Sequence, residues 1–291
     1  MTDLAGLLVD PINDYSFMRR ALVAGFALAL ACGPVGVMLM LRRMSLVGDA
    51  MAHAVLPGAA IGFLIGGLSL TAMTLGGAIT GVVVAVLAGV MARLTPLRED
   101  ATFAGFYLIS LALGVLLIST GGSSVDLVHI LFGTILAIDR ESLFLVAGLS
   151  SLTVLALATF YRHLVAEAFD PNFLLSVKGA GGVVHVLFLA LVVVNLVAAF
   201  QALGTLMAVG LMMLPALASR FWVRQVWSLF AVAAGVAFVS AYAGLILSFH
   251  LDLPTGPAIV LFAGVVYLLS AVIGPYGGLI TRQWRTASSA A

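Results

Sequence analysis

This chain of 291 residues has very little charge: 9% of its residues are Asp, Glu, Lys or Arg, against 63% hydrophobic. Soluble domains carry about 25% charged residues, so that class is excluded. Lysine is almost absent, with Lys178 the single one. A Gly-x-x-x-x-Gly-Lys-Ser/Thr loop is missing, because Lys178 precedes Gly179 without the required glycine pattern, so no P-loop hydrolysis of ATP occurs on this chain. Cysteine is limited to Cys32, which rules out an intrachain disulfide and a thiolate metal cage. There is no His-Glu-x-x-His and no nucleophile elbow, leaving an intramembrane enzyme unsupported. A formal net charge of +1 carries no suggestion of nucleic-acid binding. The first apolar run is too long for the h-region of a cleavable signal peptide.

What fills the chain instead is a series of apolar runs of about 20 residues, the length that spans a bilayer, and its mean hydropathy is +1.23. Residues 1–20 read as a short amphipathic lead-in interrupted by Pro11 and Asp14. The expected spans are about 21–41, 46–67, 70–92, 101–119, 142–161, 183–200, 202–218, 226–249 and 257–274. The division near Gln201 is imposed because 183–218 is almost continuously apolar and too long for one crossing. The fold class is therefore all-α, one polytopic membrane domain over 1–291, with eight to nine crossings.

Placing the N-terminus outside puts Arg42, Arg43, Arg93, Arg98, Arg162, Lys178, Arg220, Arg224, Arg282 and Arg285 on the inner side and only Arg19, Arg20 and Arg140 outside. Basic residues concentrate in cytoplasmic loops, so the expected orientation is N-terminus out and C-terminus in. Gly58, Gly62 and Gly66, and likewise Gly77, Gly81, Ala85 and Gly89, recur every four residues as small faces for close helix packing.

Two segments are too short to span. Residues 125–138 suit an interfacial or re-entrant helix on the outer side, with Asp126 and His129 three apart. In the longest inner loop, Asp170 caps and Pro171 opens a predicted short helix, which Gly179 ends; it runs over about 168–179.

An acid and an imidazole stand four residues apart in Gly48-Asp49-Ala50-Met51-Ala52-His53, on one helix face at the start of an apolar run. An ionisable pair inside a membrane segment costs free energy and marks a functional site by default. Asp49 and His53 supply one oxygen and one nitrogen ligand suited to a divalent transition metal, and Pro57 loosens the helix one turn on. A capping Asp beside a satisfied core His is the competing reading of the same residues. Asp126 and His129 are weaker candidates. His250 and Asp252 read as interfacial, His163 and His185 as solvated or structural, and Asn195 and Gln201 as interhelical hydrogen-bonding groups or as lining a path.

The chain resembles the permease subunit of ATP-binding-cassette importers for zinc, manganese or iron. The resemblance rests on Leu41-Arg42-Arg43-Met44-Ser45-Leu46-Val47-Gly48-Asp49-Ala50-Met51-Ala52-His53-Ala54-Val55-Leu56-Pro57-Gly58, then Leu131-Phe132-Gly133-Thr134-Ile135-Leu136, then Ala168-Phe169-Asp170-Pro171. It continues through Gly204-Thr205-Leu206-Met207-Ala208-Val209-Gly210-Leu211-Met212-Met213-Leu214-Pro215 and Leu253-Pro254-Thr255-Gly256-Pro257. It implies a vitamin-B12-importer-like (type II) homodimer in a bacterial inner membrane with a path along the dimer axis. Two cytoplasmic ATPase subunits would dock at Phe169, Asp170 and Pro171, making the capped helix a coupling helix. An extracytoplasmic metal-binding protein would dock outside. Asp49 and His53 would meet the transported Mn2+, Zn2+ or Fe2+, and ATP would enter only through the partner subunits. The alternatives are an ATP-independent secondary metal transporter and a permease for a metal chelate or siderophore.

Overall fold

The computed structural model describes residues 4–67, 69–96, 99–120, 138–170 and 181–281. Eleven helices follow one another among the described residues, and all cross-chain packing is helix on helix. They are α1 (Leu4–Asp14), α2 (Ser16–Leu41), α3 (Ser45–Ala54), α4 (Leu56–Gly66), α5 (Leu70–Leu94), α6 (Glu99–Thr120), α7 (Arg140–Phe169), α8 (Gly181–Leu203), α9 (Thr205–Ser219), α10 (Val226–Leu251) and α11 (Thr255–Ile273).

Among the described residues, eight stretches are long and apolar enough to cross a membrane, with α3 and α4 together forming one of them, Ser45–Gly66. The ninth expected span, 202–218, is the 15-residue α9, whose length of about 23 Å falls short of a bilayer core of ~30 Å. The break before it lies at Gly204, three residues beyond the expected division near Gln201. Gly204 has φ of 79°, a conformation open to glycine and costly for a residue with a Cβ. The lead-in is itself helical over Leu4–Asp14, and α2 begins at Ser16 rather than near residue 21.

A helix apolar all round belongs inside a bundle, and α2 occupies that position, with Gly33 through Leu39 all buried. It packs against α7, α9 and α10, while α8 sits against α5 and α7. The two glycine stripes define close approaches within the chain. Gly58 and Gly62 face Gly76 and Ala72 of α5, so closely that a Cβ on any of the three glycines would collide with backbone. Gly77 and Gly81 lie against Val55, Gly81 also against Val193 of α8, and Gly89 against His185 and Leu189. Asn195 donates to the Cys32 Sγ at 3.3 Å, linking α8 to α2 in the core.

At 30 residues, α7 is about 45 Å long, roughly 15 Å more than the hydrocarbon core. Its start is capped by Asp139, which accepts from the Ser142 N–H at 2.9 Å; hydrogen bonds from Ser142 hold the Asp139 carboxyl below the usual carboxylate range. Its end carries Glu167, Ala168 and Phe169. Residues 168–169 thus complete a long helix, with Asp170 as its C-cap, and 171–179, Pro171 included, lies outside the described residues.

The chain passes from α2 to α3 through a Schellman turn. Arg43 N–H donates to the Met40 carbonyl at 3.1 Å, and Met44 N–H to the Leu39 carbonyl at 2.9 Å. Arg43 takes the left-handed position that glycine favours, with φ of 59°, and its side chain is exposed. A left-handed non-glycine residue costs roughly 1–2 kcal/mol. Arg43→Gly is therefore expected to melt at or slightly above the wild-type temperature; a fall of several degrees would show that the Arg43 side chain contributes more than the turn.

Candidate metal pathway site

α3 is short because its continuation is interrupted at Val55, with Pro57 unable to donate to the ladder. The Ala54 carbonyl at the break accepts from the buried Ser110 hydroxyl of α6 at 2.9 Å. A polar group freed inside an apolar bundle is satisfied by a neighbouring helix, as the bilayer requires.

On this short helix Asp49 and His53 share one face. Their Oδ1 and Nε2 are 3.9 Å apart, and their side chains are 61% and 28% exposed. That separation is too long for a hydrogen bond. It is within about 0.5 Å of the ~3.4 Å that two ligands at ~2.1 Å subtend in a tetrahedral metal site. The Nδ1 of His53 is buried without a hydrogen-bond partner, and its ring lies 6.1 Å from that of Tyr107 on α6. The competing reading, a helix-capping Asp with a satisfied His, does not fit: the N-cap of α3 is Met44, and His53 is not satisfied. By helical rise, Asp49 and His53 stand about 6 and 12 Å along a crossing of about 33 Å, in the part nearer Arg42.

The same face continues with Leu46 before the pair and Ile61, Leu64 and Ile65 after it, all exposed. The opposite face is closed: Gly48 lies against the Met212 and Met213 side chains of α9. The stretches 45–57 and 204–215, more than 140 residues apart, are thereby in contact. Two side chains do not complete a coordination shell, and no group of three or more His, Cys, Asp or Glu that could hold a metal occurs among the described residues.

Asp126, His129 and Pro171 lie outside the described residues. His163 is exposed on the extension of α7, and His250 is exposed with its ring 5.4 Å from that of Phe249. Phe169 and Asp170 are both exposed.

His185 belongs to a cluster that sequence reasoning missed. Arg42 donates to Glu167 Oε2 at 2.7 Å, and His185 Nδ1 lies 3.1 Å from Glu167 Oε1. The side chains of Arg42 and Glu167 are each only 6% exposed. The Arg42 guanidinium stacks on Phe188 with its carbon 3.9 Å from the ring centroid. The partners are 125 and 18 residues apart in the chain.

Eight candidate crossings among the described residues, all of them helical, define a multi-pass membrane protein. Residues 14–274 match the ABC 3 transport family, and the chain belongs to that family. It is 34% identical to the manganese transport system membrane protein MntC of Halalkalibacterium halodurans, over 95% of this chain and 94% of that protein. It is 28% identical to the chelated iron transport system membrane protein YfeD of Yersinia pestis, over 94% and 90% respectively. The solved structure of PsaBC from Streptococcus pneumoniae in complex with Fab superposes with a TM-score of 0.84 at 28% identity, covering 97% of this chain and all of that one.

Proposed function

We propose that the chain is the permease of an ATP-driven importer for a divalent transition metal, working as a homodimer in a bacterial inner membrane with its N-terminus outside. The observation that carries this reading is the Asp49–His53 pair, spaced for a metal ion on a face of α3 where the described residues leave Asp49 exposed and His53 partly so. A carboxylate exposed along a membrane-crossing helix is unfavourable against lipid, by roughly 2.5–3.5 kcal/mol at a helix centre and by less toward the end where Asp49 stands. A second copy facing the first across an aqueous path removes that cost. It also brings two carboxylates and two imidazoles to one ion, a complete tetrahedral set.

Imidazole with carboxylate accepts Mn2+, Fe2+ or Zn2+. The manganese system of the H. halodurans relative supports Mn2+ as the first to test. An extracytoplasmic metal-binding protein delivers the ion near 125–138, where Asp126 and His129 stand. The ion is then held weakly by Asp49 and His53, since a pathway site must also release it. Two cytoplasmic ATPase subunits bind at Phe169, Asp170 and Pro171, from the last residue of α7 onward, and bias the dimer between outward- and inward-facing states.

The test is reconstitution of the chain with its ATPase in proteoliposomes, reading Mn2+, Zn2+ and Fe2+ entry. ATP-dependent entry is expected; entry through the chain alone, indifferent to ATP, would make it a secondary transporter. Phe169→Ala and Asp170→Ala are expected to weaken association with the ATPase by roughly tenfold while leaving Mn2+ binding unchanged. Normal co-purification and normal ATPase stimulation in both would remove these residues from the docking surface.

A further inference from the structure

We infer that Arg42, Glu167 and His185 are positioning residues of the transport cycle, tying the ATPase-side ends of α7 and α8 to the helix that carries Asp49 and His53; this rests on the importer reading above. Glu167 stands three residues before Asp170, near the end of α7, and His185 stands in the first turns of α8. The chain between them carries the proposed docking residues, and both anchors meet the same partner, Arg42.

Arg42 is the C-cap of α2 and lies three residues before α3 begins. Its guanidinium is held on three sides, by the Glu167 carboxylate, by the Phe188 face and by His185, whose Nδ1 is 3.5 Å from Nη1. The turn joining Arg42 to α3 has little slack, being closed by the two Schellman hydrogen bonds. Asp49 follows one turn into α3. A push delivered at Phe169 and Asp170 reaches the Asp49–His53 face through α7, the buried ion pair and this turn.

The chemistry suits the task. A charge-assisted contact between a guanidinium and a carboxylate is directional and resists sliding, unlike an apolar contact between helix ends. Its burial leaves no water to replace either partner if the ends separate, so the three ends move as one. Arg43, adjacent in sequence but exposed, makes no such contact among the described residues.

The experiment uses the chain assembled with its ATPase in proteoliposomes, with Mn2+ as the probe. It measures three quantities: Mn2+ binding in detergent, ATP hydrolysed, and Mn2+ moved per ATP. For Glu167→Gln, Mn2+ binding and hydrolysis are expected to persist while Mn2+ moved per ATP falls roughly tenfold. A purely structural role would lower uptake and hydrolysis together, in step with the amount of folded protein, and leave the ratio unchanged. Arg42→Lys, which keeps the charge but loses the planar fork, covers the case in which Glu167→Gln does not fold, and is expected to lower the ratio less. A wild-type ratio in whichever variants fold overturns the assignment. If the wild-type complex itself moves none of Mn2+, Zn2+ and Fe2+ on ATP, the importer reading fails first and the assignment with it.

Discussion

Asp49→Ala and His53→Ala are each expected to reduce ATP-driven Mn2+ uptake by about 100-fold or more, with assembly and thermal stability near wild type. Substitutions that only disturb the outer shell of a metal site typically cost 10–100-fold, and on the proposed reading these remove ligands themselves, one from each copy of the dimer. The two losses differ in kind. Without Asp49 the path loses its negative charges, and a divalent ion in a low-dielectric surrounding is uncompensated. Without His53 the charge remains but a nitrogen donor is gone, so discrimination among transition metals weakens along with affinity. Stability is spared because the Asp49 side chain is 61% exposed and packs against little, and because the unpartnered His53 Nδ1 leaves no hydrogen bond to lose. Uptake at the wild-type rate in both variants would sink the site; loss of folded protein in both would recast the pair as structural.

The pair was legible in the sequence because its geometry is local: four residues on a helix always place two side chains on one face. The crossings were legible for a similar reason, since hydropathy over about 20 residues needs no tertiary information. Near Gln201 that signal failed. Both sides of the break are equally apolar, and the deciding property is the backbone of Gly204, not its hydropathy. The break at Val55 was only half visible, through Pro57; Ser110, which satisfies the freed carbonyl, comes from a helix 56 residues away.

The Arg42–Glu167–His185 cluster could not be read from local sequence. Each member has an ordinary local explanation: Arg42 as a cytoplasmic basic residue, Glu167 as part of a loop, His185 as a helix-end histidine. Only the bundle brings them together. A faint trace exists in the charge pattern, because Glu167 is one of few acids on the expected inner side, amid ten basic residues, and an acid there has many cations to choose from. Which cation it meets is a matter of packing between α2, α7 and α8.

Packing also sets the second large effect. Gly58→Ala is expected to destabilise the protein by about 1–3 kcal/mol or more, while Gly105→Ala on α6 raises stability by up to ~1 kcal/mol through helix propensity alone. The same methyl group is added in both cases, so the difference isolates the close approach of α4 and α5. At Gly105 a Cβ meets nothing within 4 Å. At Gly58 it would collide with the Gly76 carbonyl and the Thr80 hydroxyl oxygen, and backbone cannot rotate aside as a flexible side chain does. Relief requires α4 to move off α5 along the whole Gly58–Gly62 stripe, giving up close packing that neighbouring lipid replaces poorly. Because Gly58 immediately follows Pro57 and the break that ends α3, such a shift also tilts the helix bearing His53. Gly58→Ala is thus expected to lower Mn2+ affinity as well as the melting temperature, in contrast to Asp49→Ala, which lowers affinity alone. Melting of the two alanine variants in one detergent, with Mn2+ binding measured on each, decides the matter: equal melting temperatures would mean that α4 and α5 do not approach as closely as the glycine stripe implies.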